Sequence, residues 1–158
     1  MPETMIASPL VRAADQAEPR WFYGGGVHRW LATAEDTSGV EGVDLKMSGS
    51  VPFVDGARIL ALAVGVRATN TVERLTEAGA KKGIPPEEIR AWGDAFEFVQ
   101  LLRLREQHRR AGRGTMGEGN PNVVPLAELS ALDRRILKEA MRQVRKLQQR
   151  LEVDVDQV

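Results

Sequence analysis

The chain has 158 residues, its 22 Lys plus Arg are matched by 22 Asp plus Glu, and it contains no cysteine. That length is enough for one domain with a proper core, and the charge balance removes any global pull toward nucleic acid or an anionic membrane. A disulfide framework and thiolate chemistry are excluded, which fits a reducing compartment. The N-terminus has no basic region followed by an apolar run, and the longest apolar run, inside Ile59 to Val66, is far too short for a membrane span. A single cytoplasmic domain over residues 1–158, or a fragment of a larger protein, is expected.

Met5, Ile6, Leu10 and Val11 fall at helix-like spacing interrupted by Pro9, predicting a short helix or helical turns over residues 1–14. Trp21, Phe22 and Tyr23 are followed by Gly24 to Gly26 and then Val27, Trp30 and Leu31. This aromatic cluster reads either as a clamp closing one end of the core or as a stacking surface for a base; the clamp is favoured, since aromatics mostly carry core energy. Thr33 to Gly42 is acidic and glycine-punctuated, hence an exposed loop. Val43 to Met47 alternates apolar and polar side chains, giving a short extended segment with Asp44 and Lys46 on one side.

Ser48-Gly49-Ser50 turns the chain into a helix over Pro52 to Val66, around which the rest is organised. After Arg58 it runs through Ile59, Leu60, Ala61, Leu62, Ala63 and Val64 without a polar side chain, so it is expected to be buried all round. Its ionisable residues, Asp55 and Arg58, stand three apart on one face. Gly65 is placed to end it. Asn70 followed by Glu73 is a capping signature for a helix reaching about Lys82, with Gly83 as its stop.

Pro85, Pro86, Glu87 and Glu88 begin the next helix. Ile89, Trp92, Phe96, Val99 and Leu102 make its apolar stripe, and it continues through Arg103, Arg105 and Glu106 to Arg110. Arg113 to Pro125 reads as a long glycine-rich connection. Ser130 with Asp133 caps a last helix over Ala131 to Glu152, whose expected buried stripe is Leu132, Ile136, Ala140, Val144, Leu147 and Leu151, with Arg135, Lys138, Arg142 and Arg145 along a solvated side. Long helices with short turns point to an all-α antiparallel bundle with at most one short extended segment near 43–47.

The order and spacing of several segments resemble one family. They are Val43-Asp44-Leu45-Lys46; Pro52 to Arg58 with Ala61-Leu62; Thr69-Asn70-Thr71-Val72-Glu73-Arg74-Leu75; Leu102 to Gln107; Asn120 to Leu126; Leu137 to Ala140; and Leu147-Gln148-Gln149. Over about Met5 to Glu152 the chain resembles the putative nucleotidyltransferase substrate-binding domain. The resemblance implies the C-terminal part of bacterial signalling proteins that also carry CBS pairs, cyclic-nucleotide-binding-like domains and a nucleotidyltransferase domain akin to protein-PII uridylyltransferase. It implies a helical bundle that helps bind the acceptor, a PII-type protein or a small molecule, while magnesium and the nucleoside triphosphate belong to the transferase domain, in the same or a separate chain. Nucleotidyl transfer of that type uses a Gly-Ser turn closely followed by two carboxylates that hold magnesium. Here Gly49-Ser50 and Asp154-Val155-Asp156 are about a hundred residues apart, so the match is accidental and no catalytic or metal residue is assigned.

The substrate-binding candidates are Lys46, Asp55, Arg58 and Arg103, charged residues embedded in apolar or family-patterned segments. They read either as a salt-bridge network fixing the loop to the helix or as the lining of a cleft, with Lys46 and Arg58 on phosphate and Asp55 orienting a nucleophile or an arginine. An inward-pointing Arg103 would call for a carboxylate such as Asp55. The competing reading is an interaction or homodimerisation module that docks regulatory domains and has no small-molecule site. A substrate domain should gather Lys46, Arg58 and Arg103 in a concavity, while an interaction module should pair them and expose an apolar face. Gly112 to Gly117 has dinucleotide-motif spacing but follows a helix instead of a strand. His28 and His108 are too far apart in sequence to suggest a zinc site or a hydrolase triad.

Overall fold

The computed structural model describes residues 42–156. The expectations for residues 1–14, for the aromatic and glycine clusters at 21–31 and for the loop at 33–41 lie outside the described residues, as do the side chains of Asp154 and Asp156.

Among the described residues there are four α-helices and one two-stranded sheet: β1 (Gly42–Asp44), α1 (Val51–Ala63), α2 (Thr71–Lys81), α3 (Pro86–Arg113), β2 (Val123–Pro125) and α4 (Ala131–Asp156). At 1.5 Å per residue, the 28 residues of α3 span about 42 Å. Each helix packs on the next and α4 returns to α1, closing an antiparallel bundle.

Local chemistry accounts for the helix ends. Asn70 Oδ1 accepts from the amides of Val72 (2.9 Å) and Glu73 (3.2 Å), occupying two of the four donors that a helix start leaves unpaired. Gly65 and Gly83, with φ of +69° and +70°, take the left-handed conformation that closes a helix C-terminus. The amides that follow them bond back into the last turn, Val66 N to Ala61 O and Ile84 N to Gly79 O. The Ser130 hydroxyl accepts from Asp133 N at 3.0 Å and starts α4 as expected.

The core is continuous through the bundle. Phe53, Ala57, Leu60, Leu75, Trp92, Val99, Leu137, Met141 and Leu147 are its buried centre, and Phe53 meets Phe96 edge-on with centroids 6.0 Å apart. Small residues set the close approaches. A Cβ on Gly56 would stand 2.7 Å from Leu147 of α4, and one on Gly79 would stand 2.7 Å from Ile89 of α3.

Four expectations need correction. The extended segment expected over Val43 to Met47 ends at Asp44, and Lys46–Ser50 is a helical turn. The helix α1 is buried on one side only: Leu62 is 75 % exposed, because α2 and α4 together cover a single flank. On α4, Leu132 and Ile136 are exposed, while the buried line is Leu137, Ala140, Met141, Val144 and Leu147. That line is the face turned to α1 and α3, and it takes Lys138 inward with it, so the basic stripe is not uniformly solvated. Finally, the end of the supposed connection is a strand: β2 pairs antiparallel with β1, Val43 opposite Val124, and both valines are buried.

Candidate functional site

Asp44 ends β1 and begins the next element. Its Oδ1 accepts from the amides of Lys46 (3.0 Å) and Met47 (2.9 Å), and its Oδ2 accepts from Asn120 Nδ2 at 2.8 Å. It thereby satisfies two amides at the start of a widened helical turn, Lys46–Ser50, whose N-cap is Leu45 and which runs directly into α1. In this turn Ser50 N reaches back five residues to Leu45 O, and Val51 N to Lys46 O. Such π-type turns rotate side chains out of the ordinary helical phase and recur at functional sites. Here the consequence is specific: Ser50 faces α3.

The turn can widen because it is packed from outside. Ser48, Gly49 and Ser50 are buried, and a Cβ on Gly49 would stand 2.8 Å from Val99 and 3.3 Å from Met141. Gly49-Ser50 is thus sealed beneath α3 and α4 and does not form an open phosphate loop, in line with setting that dipeptide aside.

Ser50 donates its hydroxyl to Gln100 Oε1 at 2.6 Å and accepts from Arg103 Nη1 at 3.2 Å. Arg103 Nη1 also donates to Gln100 Oε1 (3.1 Å), and Nη2 donates to Asn122 Oδ1 (3.1 Å). Asn122 is aimed by its neighbours: its amide and its Nδ2 both donate to Asn120 Oδ1, and its carbonyl accepts from Leu45 N at 2.9 Å. One half-buried guanidinium therefore joins the turn, α3 and the loop before β2. All its partners are neutral. Among the described residues no carboxylate accepts from Arg103, and its Nε–H is closed off without an acceptor. The expectation of an Asp55 partner fails because Asp55 lies on another face and bridges Arg58 instead.

That Asp55–Arg58 contact is 3.8 Å long, with the arginine 55 % exposed. A solvated i,i+3 pair of this kind contributes little to stability, and no hydrogen bond ties it to the Arg103 group. Lys46 is different. Its side chain is exposed and bonds to no described residue, and it follows Leu45, whose amide is joined to Asn122. The structure thus puts the backbone of Lys46 on the turn that Arg103 joins to α3, and leaves Asp55 and Arg58 paired with each other.

Beyond Arg103 on α3, the charges are matched. Glu106 is buried and accepts from Arg109 Nη2 (2.6 Å) and Nε (2.9 Å) and from Arg110 Nε (3.1 Å). The Arg109 hydrogen bond holds the carboxyl below the usual carboxylate range, against the opposing effect of burial. Arg109 also pairs with Glu128, and Arg110 donates to the carbonyls of Glu118 and Val123. This network clasps the 114–125 connection onto α3.

A separate shallow cavity of about 340 Å³ lies at the far end of the bundle, lined by Pro85 just before α3, by Glu87, Glu88 and Ala91 of α3 and by Gln143 and Lys146 of α4. Among the described residues no group of three or more His, Asp or Glu is arranged to hold a metal ion, and no helix is long and apolar enough to cross a membrane.

Ser50, Gln100 and Asn122 escaped the sequence reading. Ser50 sits in what looks like a plain turn and Asn122 in what looks like a plain connection; only the i,i+3 spacing of Gln100 and Arg103 was available as a local signal. A family described as "Putative nucleotidyltransferase substrate binding domain" matches residues 8–155. No curated protein and no solved structure matches the chain. The chain belongs to that family.

Proposed function

We propose that this member of the nucleotidyltransferase substrate-binding family acts as the accessory domain of a bacterial signalling protein, positioning the acceptor of a nucleotidyl group without transferring it. The transferase domain, in the same chain or another, supplies magnesium, the nucleoside triphosphate and the catalytic carboxylates. A uridylyl group and a PII-type or small-molecule acceptor are the finer forms of this reading, with CBS or cyclic-nucleotide-binding-like domains as regulatory neighbours in the cytoplasm. Holding an acceptor in line lowers the barrier through orientation alone, which requires rigid polar contacts and no chemistry from the holder.

The observation that carries the reading is Arg103. A half-buried cation that, among the described residues, is hydrogen-bonded only to neutral oxygens at the junction of three segments has charge to spare for a ligand. Lys46 and Arg103 are the contacts proposed for the acceptor, and the Asp55–Arg58 pair stands apart from them.

The test is nucleotidyl transfer from a labelled triphosphate by the transferase domain joined to this chain. R103A is expected to raise the acceptor KM about tenfold or more with little change in the triphosphate KM. An unchanged acceptor KM in a folded R103A protein would overturn the assignment.

The second reading, an interaction or homodimerisation module, draws on the exposed leucines Leu101 and Leu104 of α3 and Leu132 of α4, which are 52 %, 63 % and 64 % exposed. It requires self-association or domain docking that a Leu101→Ser, Leu132→Ser double variant loses in analytical ultracentrifugation.

A further inference from the structure

We infer that the junction around Arg103 and Lys46 is a binding site for a phosphoryl group, so that the ligand held by this domain is a phosphate-bearing molecule. The inference rests on the substrate-binding reading and adds to it the chemical class of the ligand.

A guanidinium has five N–H donors. In Arg103 three of them are used, on Ser50, Gln100 and Asn122, all neutral. One N–H of Nη2 is uncommitted; the Nε–H also has no acceptor but is buried, so Nη2 is the donor open to a ligand. Taking a cation partly out of water costs free energy that neutral dipoles return only in part, so an arriving oxyanion gains both a free donor and an uncompensated charge.

Among the described residues, the acids nearest in the fold are already occupied. Asp44 is saturated by two amides and Asn120, and Glu106, one turn along α3, by Arg109 and Arg110. Neither can turn to Arg103 without releasing a cap or an ion pair. The counter-charge must therefore come from outside the described residues.

Two cations select for a doubly charged ligand. Lys46 presents an exposed ammonium, free among the described residues, on the turn that holds Ser50. A fork-shaped guanidinium, with an exposed lysine on the turn it is bonded to, suits a phosphate monoester dianion better than a carboxylate, which carries one charge and two oxygens. Ser50 is buried and serves the site indirectly, its hydroxyl accepting from Arg103 Nη1 at 3.2 Å and so holding the guanidinium in place. Gly49 keeps this geometry fixed, since the turn is clamped against Val99 and Met141.

The experiment titrates the full chain by calorimetry with inorganic phosphate and with a nucleoside monophosphate, using acetate at equal ionic strength as the carboxylate comparison. Saturable phosphate binding is expected, weakened about tenfold or more in R103Q and by several-fold in K46A, with acetate at least tenfold weaker. R103K, which keeps the charge and loses the fork, should also bind more weakly. If the monophosphate binds more tightly than phosphate, the site takes a phosphate ester; if the two are equal, it takes the bare group; either result supports the inference.

Should R103Q fail to fold by circular dichroism, K46A decides, because Lys46 is exposed and its loss leaves the turn intact. Absence of phosphate binding, equal affinity for acetate, or binding indifferent to K46A would overturn the inference. Because this titration needs no transferase, its failure is separable from that of the accessory-domain reading: an acceptor KM that still depends on Arg103 would then mean that the acceptor is held through another chemistry.

Discussion

Replacing Glu106 by glutamine is the sharpest probe of how the 114–125 connection is held. The carboxylate is 5 % exposed and receives three charge-assisted hydrogen bonds, two of them from the fork of Arg109 at 2.6 and 2.9 Å. Removing one member of a buried ion pair costs about 3–5 kcal/mol. Two features lower the figure here. Arg109 is 30 % exposed and keeps Glu128, and Arg110 keeps two carbonyl acceptors.

A loss of about 2 kcal/mol is therefore expected, between the buried and the exposed limits. For a chain of this size that is a fall in Tm of roughly 4–8 °C. The pH dependence supplies a second readout. The Glu106 carboxyl is held low in the folded state, chiefly by its Arg109 hydrogen bond, so its stabilisation is fully present above the unfolded carboxylate value of about 4.3. It is lost as pH falls through the lower folded value. Differential scanning fluorimetry should show the wild-type and E106Q curves well separated near neutral pH and converging in acid. Equal Tm values near neutrality, or a gap that stays constant into acid, would refute the argument.

Two further substitutions test local elements. N70A removes the acceptor for the amides of Val72 and Glu73 and should cost about 1 kcal/mol in urea unfolding, with no change in the slope against denaturant; a change under about 0.3 kcal/mol would mean that water replaces the cap fully. G49A forces a Cβ to within 2.8 Å of Val99 and should cost about 1–3 kcal/mol, with phosphate affinity falling as Ser50 is displaced; a neutral G49A would show that Val99 and Met141 yield without moving the turn.

Much of the bundle was legible because helix signals are local. Asn70, Gly65, Gly83 and Ser130 act on amides and carbonyls within five residues of themselves, so a reading confined to neighbours finds them. The stripe on α3 was legible for the same reason, since one face of a helix is a repeat in sequence. On α4 that logic failed at Leu132, Ile136 and Lys138. Periodicity shows that a stripe exists, while the position of α1 and α3 decides where along α4 it is covered and how far it is rotated.

The candidate site was half legible. Lys46 and Arg103 stand out as charges in apolar company, but the Asp55 partner anticipated for Arg103 belongs to Arg58. Its true partners come from positions 50, 100 and 122, and two of them lie in segments without any period. The pairing of β1 with β2 was hidden in the same way, for a three-residue strand declares itself only when its partner, some eighty residues away in sequence, lies alongside.

By itself, then, the sequence determined the four helices, roughly where each begins, the all-α class and the family, all of which rest on patterns read along the chain. Tertiary structure alone decided which charges are matched and which are not. Closing the bundle brings Glu106 under Arg109 and Arg110 while leaving Arg103 among neutral oxygens, and whether a charge is compensated depends on separations in space that no spacing in sequence encodes.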